Sequence, residues 1–268
     1  SQQILPAPLP PTTVWSYGST TDASTFNYPA FTIEATRGRP TTVTWINELK
    51  NADGSFLPHL LPVDPTLHWA NPPNGTDAPV NGTGTRDSRP TFAATPGRYT
   101  GPVPIVTHVH GMERVEDWSD GYAEAWYLPD ATNIAAGFAR HGTWYDFFKD
   151  KAASAGVTDW APGYATFAYP NSQRPSTAWY HDHTLGMTRL NVYAGPAGFY
   201  LIRSTSSDDN PRIAGEAGAA VLPGPAPGVG ADPFGTHYEI PIAIQDRSFN
   251  TNGSLFYPDT RAFFDGFL

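Results

Sequence analysis

The chain contains no cysteine. Disulfides and thiolate metal sites are therefore excluded within it. Charge is also scarce. Only 15% of the 268 residues are Asp, Glu, Lys or Arg, against about 25% in a typical soluble domain. Long salt-bridged helices and coiled coils need more than this. Basic residues are the scarcer sign, with 16 Lys and Arg against 25 Asp and Glu and a formal net charge of −9. A nucleic-acid binder needs a basic face to displace phosphate counterions, so that class is excluded. No apolar run approaches the roughly 18 residues that a membrane-spanning helix requires.

Turn formers and aromatics are abundant: 25 Gly and 28 Pro stand beside 8 Trp, 13 Tyr and 15 Phe. Disordered segments lack aromatics. Short apolar strands joined by many turns fit this composition, and the expected class is all-β. The chain begins at Ser1 with no charged-then-apolar leader. The expectation is an export signal already removed, and a secreted or extracytoplasmic location. Asn74-Gly75-Thr76, Asn81-Gly82-Thr83 and Asn252-Gly253-Ser254 match the short glycosylation acceptor pattern and add a little weight to it.

Residues 1–29 are rich in Pro, Ser and Thr and read as an extended arm with no packing of its own. Ala30–Thr36 and Thr41–Asn47 alternate apolar and polar residues, the period of a strand with one face buried. Residues 50–100 read as long loops. Val103–His110, Ala165–Tyr169, Thr177–Tyr180 and Val192–Arg203 read as further strands, the last bent at Gly195 or Gly198. A short helix is expected near Asn133–Arg140. Residues 30–203 form the first domain, with an insertion near 127–162 that reads as a lid or contact surface. Residues 204–236, rich in Ser, Gly, Ala and Pro, form a linker. A new strand begins at Tyr238–Ile244. Residues 237–268 are too few to bury a core alone, so the chain reads as incomplete as a folding unit.

The chemistry concentrates in two short patterns. Of 8 histidines, four form His108-Val109-His110 and His181-Asp182-His183, each at the end of a strand-like run. On a strand, residues i and i+2 share a face, and the rise of ~3.3 Å per residue sets the two rings of each pair roughly 6.6 Å apart. Adjacent strands, about 4.8 Å apart, would gather all four imidazoles in one patch. Two or three neighbouring ions suit that spread better than one. Imidazole without thiolate suits copper, zinc, iron or nickel. One such pattern in a long chain is usually accidental, but two at strand ends are not. His59, His68, His141 and His237 stand alone and read as structural or solvent-facing. Asp120, in Trp118-Ser119-Asp120-Gly121, either orients a metal-bound water and relays protons or simply opens a turn before Gly121. Asp182 points away from its two flanking histidines and reads as a structural hydrogen-bond partner.

Thr107-His108-Val109-His110-Gly111, followed by Ser119-Asp120-Gly121-Tyr122-Ala123-Glu124-Ala125-Trp126, resembles the first copper motif of the multicopper oxidases. Trp179-Tyr180-His181-Asp182-His183-Thr184, followed by Thr188-Arg189-Leu190-Asn191-Val192-Tyr193-Ala194-Gly195, resembles the second. Phe56-Leu57-Pro58, Leu61-Pro62-Val63-Asp64, Gln245-Asp246-Arg247-Ser248-Phe249 and Gly253-Ser254-Leu255-Phe256-Tyr257-Pro258 resemble the branch of spore-coat laccase, bilirubin oxidase and phenoxazinone synthase. The resemblance implies a cupredoxin-like Greek-key β-barrel, here with the opening strand of a second such domain. It implies a type 1 copper that takes electrons from a phenol or arylamine and a trinuclear copper cluster that reduces dioxygen to water. By motif position His108 would bind the type 2 copper, and His110, His181 and His183 the type 3 pair. Asp120 matches the acid that helps proton delivery.

The family's remaining histidine motifs, including the one with the type 1 cysteine, are absent. The resemblance therefore implies half of the cluster's ligands, and a second polypeptide carrying the remaining cupredoxin domains as partner. Two other classes remain in view. A cupin-like mononuclear dioxygenase would use one His-x-His and a following acid such as Glu116. A non-catalytic copper-binding domain would keep the ligands and consume no oxygen.

Overall fold

The computed structural model describes residues 1–65, 67–74, 87–88, 98–203 and 242–259. Its strands in chain order are β1 (Ala30–Thr36), β2 (Thr41–Ile46), β3 (Trp69–Ala70), β4 (Asp87–Ser88), β5 (Thr107–His110), β6 (Tyr164–Tyr169), β7 (Ser176–Asp182), β8 (Ala197–Arg203), β9 (Ser248–Phe249) and β10 (Leu255–Phe256). Two helices interrupt them, α1 (Tyr145–Ser154) and α2 (Thr188–Ala194). The architecture is all-β in character, as the composition implies.

The main sheet runs β1-β8-β7-β5. Its β1–β8 pair is parallel, and the β8–β7 and β7–β5 pairs are antiparallel. β2 pairs antiparallel with β6 to make a second layer. The period of two decides which side chains meet between the layers. Ala178 and Tyr180 of β7 are buried, as are Tyr200 and Ile202 of β8 and Trp45 of β2. Tyr180 lies 5.5 Å from Trp45 and 5.1 Å from Tyr17, ring centre to ring centre. On β6, Phe167 and Tyr169 are buried, and the Tyr169 hydroxyl accepts a 2.9 Å hydrogen bond from the Trp45 indole. Such aromatics carry most of the apolar area that a small-charge sequence can remove from water.

Several expectations need correcting. The 1–29 arm is packed: Trp15 is 8% exposed, and its N–H donates to the Ala194 carbonyl at 2.9 Å. Trp15 carries enough apolar surface to hold a proline-rich segment that forms little secondary structure. Residues 133–140 form turns, and the helix lies instead at α1. Tyr145, Phe148 and Ala152 give α1 a buried stripe at helical spacing. The expected strand from Val192 is divided. Val192–Ala194 closes α2, Gly195 takes φ 139°, and β8 starts at Ala197. Gly195 is required there, because a side chain would meet the Trp15 backbone.

Residues 127–162, read as a lid or contact surface, begin packed into the core. Trp126, Tyr127 and Leu128 are at most 1% exposed, and Tyr127 exchanges two backbone hydrogen bonds with Ile105. The 50–100 stretch likewise sends Leu61, Val63, Trp69 and Tyr99 into the core. Of the strand expected at Tyr238–Ile244, Ile242 and Ile244 carry no strand pairing and are exposed. Tyr238 to Pro241, His237, the 204–236 stretch and Asn81 lie outside the described residues. The 242–259 segment forms its own β9–β10 hairpin and rests on α2 through Arg247, whose guanidinium stacks on Tyr193 at 4.4 Å.

Candidate metal centre

β5 and β7 pair antiparallel with His108 directly opposite His181. Thr107 and Val109 face the core, so His108 and His110 face outward at one end of the sheet. On β7, Thr177, Trp179 and His181 share one face, the first two exposed and His181 buried. Ring centres lie 5.6 Å apart for His108–His110, 5.5 Å for His108–His181 and 5.0 Å for His108–His183. They are 5.8 Å apart for His110–His181 and 5.9 Å for His181–His183. Candidate ligand nitrogens of His108, His110 and His181 all fall within 4.8 Å of one another. The four histidines singled out by pattern therefore meet in one patch.

Two of the rings have their tautomer set by a carbonyl. A carbonyl oxygen only accepts, so the His108 Nδ1–H donates to the Asp120 carbonyl at 2.5 Å, and the His181 Nδ1–H donates to the Asp182 carbonyl at 2.6 Å. Each leaves Nε2 with its lone pair free. His181 Nε2 and His183 Nδ1 are buried without a hydrogen-bond partner. Buried polar atoms of this kind are rare unless a ligand satisfies them. Unprotonated imidazole nitrogens converging with no thiolate or carboxylate among them make a donor set that copper fits.

The electrostatics favour neutral rings at His181 and His183. Burial first, then the neighbouring imidazoles, push the His181 pKa down to about 4, against a partial lift from its hydrogen bond to the Asp182 carbonyl. His183 is lowered, first by burial. At His108 burial also lowers the pKa, but the hydrogen bonds and charge of Asp120 outweigh it and the net direction is up. Indole Trp179 stacks on His181 with ring centres 4.0 Å apart and fixes its plane.

Asp120 ends the short 3-10 turn Asp117–Ser119, and its carboxylate sits 3.4 Å from His108 Nδ1 with about half its surface in water. Asp120 thus closes the turn before Gly121, and its carboxylate faces His108, a candidate ligand. Glu116 is exposed, caps nothing and is not part of the imidazole group, so the cupin-type arrangement is not favoured. His141 stacks on Tyr145 at 4.7 Å, away from the group. Among the described residues no helix is long and apolar enough to cross a membrane.

Pattern reading missed His59. Its Nδ1 accepts from the Leu61 N–H at 2.9 Å, and its Nε2 meets the Asn191 Oδ1 at 2.9 Å. Burial is the main cause that lowers its pKa to about 4. An unfolded histidine takes its proton near pH 6.5. The unfolded chain thus binds more protons between about pH 6.5 and 4, and His59 makes stability fall as pH falls through that window. Asp182, raised to about 6 chiefly by burial, acts with the opposite sign. The difference between wild type and His59→Gln isolates His59. Metal-free wild type is expected to lose at most about 3 kcal/mol relative to the variant between pH 7 and pH 4. Urea unfolding at several pH values checks this, and parallel curves would contradict it.

No family model matches the chain. It is 32% identical over 253 residues to a laccase of Bacillus stratosphericus, covering 93% of this chain and 32% of that protein. It is 30% identical over 251 residues to a laccase of Bacillus subtilis (strain 168), covering 93% and 33%. A multicopper oxidase of Oryza sativa subsp. japonica is 34% identical over 250 residues, covering 92% and 29%. Among solved structures, a laccase from Pediococcus acidilactici matches 84% of this chain and 26% of its own, at 16% identity and a TM-score of 0.39. A McoA multicopper oxidase variant from Aquifex aeolicus matches 85% and 28%, at 16% identity and 0.38. Likeness at that level does not by itself establish a fold. The sequence relatives span bacteria and a plant and cover nearly all of this chain, which extends over about a third of their length; it belongs to the multicopper oxidases, a family built on the cupredoxin fold.

Proposed function

We propose that this chain supplies four histidine ligands to the oxygen-reducing copper cluster of a laccase-like enzyme. His108 would hold the type 2 copper, and His110, His181 and His183 the type 3 pair. The observation that carries this reading is the convergence of four imidazoles, two from β5, one from the end of β7 and one just after it, with two buried nitrogens left unbonded. Copper held there would supply the redox chemistry that joins oxidation of a phenol or arylamine to reduction of dioxygen to water.

The rest is work for the chain's own residues. The carbonyls of Asp120 and Asp182 hold the rings of His108 and His181 in the tautomer that presents Nε2. The two-strand ladder fixes their separation, so little ordering remains when metal binds. Asp120, in contact with both His108 and water, is placed to carry protons inward. No other ligand set for a cluster, and no thiolate, exists in this sequence. The remaining cupredoxin domains would come from further chain length or a second polypeptide. The proposed division places the first domain at 30–203 and the start of the second at 237–268, in an extracytoplasmic protein.

Native mass measurement of the purified protein with copper quantification tests the assembly. A larger species with several coppers supports it, and a single 268-residue species with one metal or none contradicts it. In the assembled enzyme, Asp120→Asn is expected to slow oxygen uptake by about a hundredfold, within the range of a lost general acid. Unchanged uptake across pH would remove Asp120 from the proton path.

A further inference from the structure

We infer that His59 and Asn191 are positioning residues for the copper ligands, acting through the carboxylate of Asp182. The inference rests on the proposed copper site and concerns what holds its four histidines in register.

Asp182 lies between His181 and His183, with its side chain on the opposite, core-facing side, and is 0% exposed. Four donors converge on it. The Val106 N–H donates to Oδ1 at 3.0 Å, and the Thr184 hydroxyl donates to the same oxygen at 2.8 Å. The Thr184 N–H donates to Oδ2 at 3.0 Å, and the Asn191 amide donates to it at 2.8 Å. Val106 stands two residues before His108, and Thr184 stands one residue after His183. One buried carboxylate therefore staples the backbone of both His-x-His strands. The His183 N–H closes the same junction by donating to the Val106 carbonyl at 2.7 Å.

The orientation of Asn191 decides whether this staple is complete, and His59 sets it. An asparagine amide has one accepting and one donating end, and the two are easily exchanged. The Leu61 N–H points into His59 Nδ1, so that nitrogen carries no proton. The ring proton must then sit on Nε2, which donates to Asn191 Oδ1. The Asn191 Nδ2 is thereby turned to donate both to Asp182 and to the Pro104 carbonyl at 3.1 Å. A flipped amide would set a donor against a donor at His59 and leave Asp182 one bond short. Trp15, packed edge-on to His59 at 4.8 Å, holds that ring in place. The chain of contacts thus runs from the N-terminal arm through a 59–61 loop and α2 to the backbone of the metal ligands.

Outer partners of metal ligands commonly change metal affinity by about 10–100-fold when removed. The test is Cu(II) affinity of the full chain by chelator competition, with the electron paramagnetic resonance spectrum of the bound ion. His59→Leu removes the donated bond with little change of volume, Asn191→Leu removes the link to Asp182, and His59→Gln restores an N–H to Asn191. Both leucine variants are expected to bind Cu(II) about tenfold more weakly with altered hyperfine splitting. His59→Gln is expected to stay near wild type in both. The inference is overturned if the leucine variants bind within twofold of wild type, or if His59→Gln is as impaired as His59→Leu. Failure of the wild-type chain to bind Cu(II) would overturn the copper site itself, and this inference with it.

Discussion

Replacing His108 and His181 together by alanine is expected to weaken copper binding about a hundredfold at each of the copper positions they are proposed to serve. Structural sites with four protein ligands bind divalent metal with roughly 10–16 kcal/mol, so each ligand carries about 3 kcal/mol. That is about a hundredfold per imidazole at 1.4 kcal/mol per decade. The pair is chosen because the two rings face each other across the β5–β7 ladder and both have a hydrogen-bonded Nδ1. The His108 truncation removes a half-buried ring, whereas the His181 truncation also removes its stacking on Trp179 and its bond to the Asp182 carbonyl, so the metal-free variant should still fold but melt lower than the wild type. Chelator competition measures the affinity and circular dichroism the fold. Retained affinity would mean that copper binds elsewhere.

Gly121→Val is expected to cost about 2–6 kcal/mol and to lower the melting temperature by about 4 °C or more. Gly121 has φ +73°, a region that a β-branched residue enters only with strain of about 1–3 kcal/mol. A Cβ there would also collide with the Thr107 carbonyl oxygen and lie 2.9 Å from the His108 Cα. Those are backbone atoms of β5, held by its pairing with β7 at Thr107 and His108, and they do not swing aside freely. Overpacking of this kind adds about 1–3 kcal/mol, and each kcal/mol moves the midpoint by roughly 2–4 °C in a chain of this size. The substitution also displaces Asp120 from His108, so copper affinity should fall with stability. A melting temperature within a degree or two of wild type would contradict the close approach described here.

The residues differ in how far the sequence announces their roles. The His pairs were legible because strand geometry puts i and i+2 on one face, and the ladder then sets His108 against His181. The rings came out 5.6 and 5.9 Å apart within each pair, a little closer than strand rise alone implies. β1, β2 and β6 were legible from alternation and aromatic content. α2 was not, since its Leu190-Asn191-Val192-Tyr193 run reads equally as a strand and only the Gly195 turn separates it from β8. α1 was legible in principle from Tyr145, Phe148 and Ala152, followed by Gly156 at φ +86°. The His59–Asn191 contact joins residues 132 positions apart. No local pattern marks it, because a neutral histidine taking one bond and giving one looks like any loop histidine until the fold closes.

Anomalous diffraction at the copper edge from crystals of the copper-loaded protein tests the central claim most directly. The account predicts copper peaks among the rings of His108, His110, His181 and His183, at about 2 Å from ring nitrogens, as imidazole-bound metals of this row show. Peaks confined to other histidines such as His141, or no copper at the β5–β7 end, would contradict it.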